Sequence, residues 1–214
     1  MTAPRGKFIT LEGPEGAGKS TQAKLLAEVL AARGIGYILT REPGGTPLAE
    51  ELRRLVKHFK SDREEITPES ELFLMNAARS QHVQYKILPA LNAGKWVICD
   101  RFSDSTLAYQ GFARGMDMAG IKSVIRMAAG CCPIDRTLLF DLPPEAGFRR
   151  AERRESTAGN YDRFELAGGE FHRKVRQGFL ALAEEEPARF RVIRADQAIH
   201  EVHADVLEAV NDLF

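Results

Sequence analysis

The sequence predicts a three-layer α/β/α fold in which a mainly parallel sheet of five strands lies between two layers of helices. Three observations lead to this prediction. Short apolar runs alternate with helical patterns, a glycine-rich loop connects the first run to the first helix, and 44% of the 214 residues are hydrophobic, enough for a sizeable core. We expect a single domain over residues 1–214.

Five apolar runs are predicted as strands. Each run is short enough to be a strand, and the helical segments between the runs favour parallel pairing. The runs cover residues 7–12, 37–40, 96–99, 136–141 and 191–193.

Seven segments show helical spacing of apolar residues. The first ends at Gly34, and the third begins after Thr67, a predicted N-cap, and carries Pro89, which we expect to kink its last turn. The last has an apolar stripe that includes Ile199 and Val206. The predicted helices cover residues 21–33, 48–59, 68–92, 117–129, 144–154, 165–186 and 198–214.

The loop between the first strand and the first helix carries the most specific motif. Its spacing is G-x-x-x-x-G-K-S, in which backbone N–H groups surround nucleotide phosphates, a lysine reaches the outer phosphates and a serine hydroxyl ligates Mg²⁺. The strand and the helix that this motif requires flank it on either side, so the fold class is that of the P-loop NTPases. The loop consists of Gly13, Pro14, Glu15, Gly16, Ala17, Gly18, Lys19 and Ser20, followed by Thr21.

A second group of polar residues follows the third predicted strand. Ligands of open α/β sheets bind at the carboxyl ends of strands, where Asp100 could hold Mg²⁺ and Arg101 could bind a second phosphate. An ordinary surface ion pair is the alternative. Ser105, Thr106, Tyr109 and Gln110 follow and can all form hydrogen bonds.

Two further segments carry weaker signals. Arg41 lies beside a Pro-Gly-Gly turn and could contact phosphate. Met75 and Arg79 lie four residues apart on one helix face, where an apolar side chain could cover a base while the arginine reaches its carbonyl group. For Met75 alone, a place in the core is an equally good interpretation.

An arginine-rich segment over residues 149–165 is predicted to be a short lid. Arg149, Arg150, Arg153 and Arg154 precede the polar stretch 155–160, and Arg163 follows it. A mobile arginine can neutralise the charge that develops during phosphoryl transfer. A solvated helix face is the alternative.

The composition argues against a protein that binds nucleic acid or membranes through its overall charge. The 30 basic and 30 acidic residues balance, which gives no global attraction to nucleic acid or to an anionic membrane. No signal peptide or membrane-spanning run is recognised, and three cysteines, two of them adjacent, make a poor disulfide framework, so we expect a cytoplasmic protein. The five histidines lie on predicted helices and are expected at the surface.

Taken together, the motifs resemble those of bacterial thymidylate kinase. The resemblance runs in order along nearly the whole chain and rests on Glu15 in the loop, Arg-Glu-Pro-Gly-Gly-Thr at 41–46, Ala-Ala-Arg at 77–79, Asp-Arg at 100–101, Ser-Thr at 105–106, Ala-Tyr-Gln at 108–110 and Asp-Arg-x-Glu at 162–165. It implies transfer of the γ-phosphoryl group of ATP to dTMP with Mg²⁺, and a homodimer.

The resemblance also implies roles for individual residues. Lys19, Glu15 and Arg101 would be catalytic, and because the loop has Gly16, the lid arginines Arg153 or Arg154 would supply the catalytic guanidinium. Residues 13–21 and, by topology, Arg150 would bind ATP, while Ser20 and Asp100 would hold the metal. The expected dTMP-binding residues are Glu15, Arg41, Met75, Arg79, Arg101, Ser105, Thr106, Tyr109 and Gln110.

Two other functions stay open. One is a kinase for another nucleoside monophosphate or a deoxynucleoside, since the family usually has a phenylalanine where this chain has Met75. The other is a nucleotide-dependent switch, against which the missing Asn-Lys-x-Asp guanine-reading segment argues.

Overall fold

A five-stranded parallel sheet forms the centre of the protein in the computed structural model, which describes residues 5–152, 163–164 and 167–214. The strands are β1 (Phe8–Glu12), β2 (Tyr37–Arg41), β3 (Trp96–Asp100), β4 (Arg136–Asp141) and β5 (Phe190–Arg194). Their spatial order is β2-β3-β1-β4-β5, and every neighbouring pair is parallel. The predicted α/β class is therefore confirmed, and each predicted strand lies within one residue of the observed bounds.

Helices connect the strands and cover both faces of the sheet. They are α1 (Lys19–Ala32), α2 (Pro47–His58), α3 (Pro68–His82), α4 (Leu88–Asn92), α5 (Ser103–Thr106), α6 (Met118–Ala129), α7 (Pro144–Glu152), α8 (Gly169–Glu185) and α9 (Ile199–Val210). A single 3₁₀ turn (Asn211–Leu213) follows α9. No helix among the described residues has the length and apolar character that a bilayer crossing requires.

The long third helix is continuous from Pro68 to Asn92 because a π-helical segment (Val83–Ile87) joins α3 to α4. Thr67 caps it as predicted, its hydroxyl accepting a hydrogen bond from the backbone of Ser70. Pro89 lacks the N–H that an α-helical turn needs, and the wider turn lies directly before it. The irregularity that we expected from Pro89 thus takes the form of a π segment.

Two apolar layers flank β1, all of whose residues are buried. On one side, Leu26 of α1 and Val206 of α9 pack against the sheet. On the other side, Phe8 of β1 packs in a cluster with Ile87 of the π segment and with Phe102. A central buried strand that ends in a loop places that loop at the carboxyl edge of the sheet.

Several local predictions are corrected. The helix predicted for 165–186 begins only at Gly169, because Gly168 precedes it in a non-helical conformation. Residues 103–113 are helical throughout, as α5 and a π segment (Leu107–Ala113) that the sequence did not predict. Ile199 is exposed although it was assigned to the apolar stripe of the last helix.

The end of the chain packs against the amino-terminal edge of the sheet. The ring of Phe214 stacks on Trp96 at a centroid distance of 5.1 Å. The guanidinium of Arg33 also lies over the Phe214 ring, 3.7 Å from its centre. This contact ties the segment after α9 to β3 and to the residue after α1.

Candidate active site

The loop after β1 has the backbone geometry that only glycines tolerate well. Gly13, Gly16 and Gly18 have φ angles of 131°, 74° and 86°. A Cβ atom on Gly13 would lie 2.4 Å from the carbonyl oxygen of Phe140, and one on Gly16 would lie 2.3 Å from that of Gly147. The first two glycines are therefore required by the packing of the loop itself, whereas Gly18 borders open space, where a phosphate could approach.

Lys19 begins α1 and points back into the loop. Its side chain is buried, and its ammonium donates hydrogen bonds to the carbonyl oxygens of Gly13 and Pro14, at 3.1 and 2.7 Å. Burial, with help from the nearby Arg101, lowers the pKa of Lys19 against the opposing effect of neighbouring carboxylates. The cation is thus desolvated and aimed at the site where the loop would hold phosphates.

Ser20 and Asp100 come together, as the sequence predicted for a metal site. The hydroxyl of Ser20 donates to Oδ2 of Asp100 at 2.8 Å. Both oxygens are hard ligands of the kind that Mg²⁺ prefers. No group of three or more acidic, cysteine or histidine side chains that could hold a metal occurs among the described residues. A Mg²⁺ ion here would therefore need oxygens from a nucleotide or from water.

Arg101 occupies a strained position at the end of β3. It is the one non-glycine residue with positive φ (66°) in the described part of the chain. Its guanidinium donates to Ser105 Oγ at 3.2 Å and to Glu15 at 3.3 Å. Although burial opposes it, the charges of Lys19 and Arg101 lower the pKa of Glu15 to about 2, so this carboxylate is ionised.

Glu12 holds the backbone next to Arg101. It is fully buried at the end of β1, accepts a hydrogen bond from the backbone N–H of Phe102 at 2.7 Å, and lies 2.6 Å from Ser105 Oγ. Burial and the charge of Asp104 raise the pKa of Glu12 to about 8. The role of Glu12 was not predicted, since a glutamate at the end of an apolar strand gives no sign of its partners.

Arg79 is held from several directions. Its Nε donates to Glu42 at 2.8 Å, Nη1 to Asn76, and Nη2 both to the carbonyl oxygen of Phe102 and to Thr106 Oγ1. Four of the five N–H groups of the guanidinium thus have acceptors in the described part of the chain, which leaves one for a further partner. His82, which also contacts Glu42, is fully buried, so its predicted surface position is wrong.

A single cleft at the carboxyl edge of the sheet joins most of the predicted site residues. Its cavity volume is about 220 Å³. The predicted residues that line it are Glu15, Gly16, Gly18, Lys19, Ser20, Arg41, Met75, Asp100, Arg101, Ser105 and Tyr109. Arg79 lines a small adjoining cavity together with Met75, Arg101 and Ser105.

Other predicted residues lie behind the cleft or outside the described residues. Thr106 and Gln110, expected around the base, are buried and do not line the cleft, because their side chains contact Arg79 and Glu71 instead. Arg150 donates to the carbonyl oxygen of Ala195 at 2.8 Å, which brings it to the segment after β5. The predicted lid arginines, Arg153 and Arg154, lie outside the described residues.

Six lining residues were not predicted as site residues, among them Glu42 and Pro43, which follow Arg41 in the chain. Arg53 and Lys57 stand four apart on α2, a spacing that could have marked a shared basic face. Phe164 and His172 also line the cleft, and His172 is buried although the sequence analysis placed it at the surface. No pattern in the sequence distinguishes His172 from the exposed His200.

Comparisons with known proteins identify the family of the chain. The sequence model of the thymidylate kinase family matches residues 11–206. A thymidylate kinase of Geotalea uraniireducens is 48% identical over 207 residues, which is 96% of both chains. One of Pseudomonas fluorescens Pf0-1 is 51% identical over 197 residues, 92% of this chain and 91% of that one. The crystal structure of thymidylate kinase from Ehrlichia chaffeensis has a TM-score of 0.76 and 36% identity, covering 97% and 99% of the two chains.

Proposed function

Because the chain belongs to the thymidylate kinase family, we propose that it transfers the γ-phosphoryl group of ATP to dTMP, giving ADP and dTDP. One observation carries the proposal. Lys19, which suits a nucleoside triphosphate, and Arg101, which suits a second phosphate, line the same cleft. Two phosphorylated ligands that meet there would have their phosphates between two fixed cations.

Phosphoryl transfer of this kind needs positioning and charge neutralisation, and no covalent intermediate on the protein. Lys19 would neutralise the outer phosphates of ATP, and the backbone N–H groups of residues 13–20 would bind the inner ones. Arg101 would hold the acceptor phosphate. Glu15 stays ionised beside Arg101 and fixes the direction of its guanidinium.

The acceptor nucleoside would lie beyond Arg101. Met75, Tyr109 and Phe164 give this half of the cleft apolar surfaces suited to a base and a deoxyribose. The remaining N–H of Arg79 would be available to a base carbonyl group, since the guanidinium is otherwise fixed by Glu42.

Magnesium fits the donor set of this site. We propose that Ser20 and Asp100 hold it, directly or through water, with the phosphates of ATP completing its shell. When bound, the ion would supply neutralisation of charge on the β- and γ-phosphates. We also propose that Arg153 or Arg154 adds a further cation to the transferred group, as the glycine at position 16 implies for this family.

An acceptor panel tests the substrate assignment. ADP release is measured with ATP and dTMP, dUMP, dCMP, dGMP or thymidine, and also without an acceptor. We expect the highest kcat/KM for dTMP and little turnover without it. A preference for another monophosphate would assign the other kinase function, and acceptor-independent hydrolysis would favour the nucleotide-dependent switch.

We propose a cytoplasmic homodimer as the working form. Free cysteines at positions 99, 131 and 132 suit a reducing compartment. Phe73, Tyr85 and Met127 are strongly exposed on the neighbouring elements α3, its π segment and α6, and such apolar surfaces suit an interface. Sedimentation velocity should give about twice the 23.8 kDa of the chain, and a monomer at micromolar concentration would contradict the proposal.

A further inference from the structure

A completely buried carboxylate lies outside the groups used above. Glu71 of α3 accepts hydrogen bonds from Nε2 of Gln110 at 2.8 Å and from Nε and Nη2 of Arg114, both at 2.8 Å. Arg163 also donates to it. We call these four residues the Glu71 junction. It joins three separate parts of the chain: α3, the π segment after α5 with the residue that follows it, and residues 163–164.

The junction adjoins both aromatic residues in the wall of the cleft. Gln110 follows Tyr109 in the chain, and Arg163 precedes Phe164. The two rings meet edge to face at 5.9 Å, and both line the cleft. Glu71 itself does not line it, so any effect of this carboxylate on a ligand must pass through its partners.

Arg163 is further tied to the end of α2. Its backbone N–H donates to the carbonyl oxygen of Lys57 and its Nε to that of Val56, at 3.4 and 3.1 Å. One guanidinium therefore fixes residues 163–164 both to α2 and to Glu71. Phe164 has little freedom to leave Tyr109 while these contacts hold.

A contribution to folding stability alone is a poor explanation of the buried ion pairs in the Glu71 junction. Burying a carboxylate is expensive, and ion pairs in protein interiors are often replaceable by apolar residues of similar volume without loss of stability. Charged, directional hydrogen bonds do, however, fix the relative orientation of the elements that they join. The Glu71 junction has this property between the two segments that carry Tyr109 and Phe164.

We propose that Glu71 is a positioning residue for the acceptor nucleotide: through Gln110, Arg114 and Arg163 it sets Tyr109 and Phe164 as the wall against which the nucleoside binds. This inference rests on the proposed function and deepens it. Among the described residues no hydrogen bond or ion pair joins Lys19 or Ser20 to the junction, so we expect the triphosphate half of the cleft to be unaffected by it.

Steady-state kinetics of Arg163→Met, Glu71→Gln and the double variant test the inference. Arg163 is partly exposed, so its methionine variant should fold even if Glu71→Gln does not. We expect each single variant to raise the KM for dTMP by about tenfold, while the KM for ATP changes less than twofold, since a misplaced wall affects only one ligand. The double variant should be little worse than the worse single variant.

Asp212→Asn is the matched control. Asp212 accepts two hydrogen bonds from the buried Arg136 at the amino-terminal edge of β4, away from the cleft. This variant should lower the melting temperature without changing either KM. Equal increases in the KM values for dTMP and ATP in the junction variants, or no increase in either, would overturn the inference.

Hydrogen exchange separates failure of the inference from failure of the proposed function. If the wild-type protein does not phosphorylate dTMP, the proposed function fails. Amides of residues 107–114 should still exchange faster in Arg163→Met than in the wild type if the junction orders this segment. Unchanged exchange there would overturn the positioning role whatever the substrate.

Discussion

Replacing Glu12 with glutamine should remove a pH dependence of stability that this one carboxyl group creates. Glu12 is fully buried, and burial together with Asp104 raises its pKa from 4.5 to about 8. Below that pH the group is protonated in the folded protein, where it can donate to Ser105 Oγ and still accept from the backbone N–H of Phe102. A glutamine amide has the same shape and can make the same two hydrogen bonds.

The sign of the effect follows from proton linkage. The folded-state pKa lies above the unfolded one, so the folded protein holds an extra proton between pH 4.5 and about 8. The stabilisation is fully present below pH 4.5 and is lost as the pH rises through about 8. For these two values the loss between pH 6 and pH 9 is about 2.5 kcal/mol, and for Glu12→Gln this contribution is zero.

Urea unfolding of both proteins at pH 6, 7, 8 and 9 measures the difference. Other titrating groups, such as His203, contribute equally to both proteins and cancel when the two curves are subtracted. The free energy of unfolding of Glu12→Gln minus that of the wild type should be about 2.5 kcal/mol larger at pH 9 than at pH 6. A difference that stays constant over this range would refute the assignment of a raised pKa to Glu12.

Three further changes test the site. Lys19→Ala should lower kcat by about a thousandfold or more with an unchanged melting temperature, since a desolvated cation beside the transferred charge is lost; near-normal kcat would remove Lys19 from the mechanism. Asp100→Asn should raise the Mg²⁺ concentration for half-maximal activity by about tenfold, and an unchanged titration would exclude Asp100 as a metal-holding residue. Joint replacement of Arg153 and Arg154 by alanine should lower kcat more than ATP affinity, and unaltered kcat would exclude both as donors of the catalytic guanidinium.

The sheet was predictable because its strands are short and apolar, and glycines flank several of them. The run ending at Glu12 leads directly into a loop whose spacing defines its own structure, so strand, loop and helix confirm one another. The same reasoning located Asp100 and Arg101, because polar residues after a buried strand must lie at the carboxyl edge of the sheet.

The helical stretch 103–113 was missed because its polar residues look like those of a loop. Thr106 and Gln110 are buried only because Arg79 and Glu71, far away in the chain, supply their partners. Such long-range pairing has no local periodicity. The same cause explains His82, whose buried position depends on Glu42 and Thr40.

The packing of Phe214 on Trp96 has a practical consequence. Trp96 is the only tryptophan of the chain, so intrinsic fluorescence reports the detachment of the final aromatic residue and not nucleotide binding at the opposite edge. Replacing Phe214 with alanine would change this emission and remove the Arg33 contact together. The emission of Trp96 therefore serves as a local probe of the packing at the amino-terminal edge of the sheet.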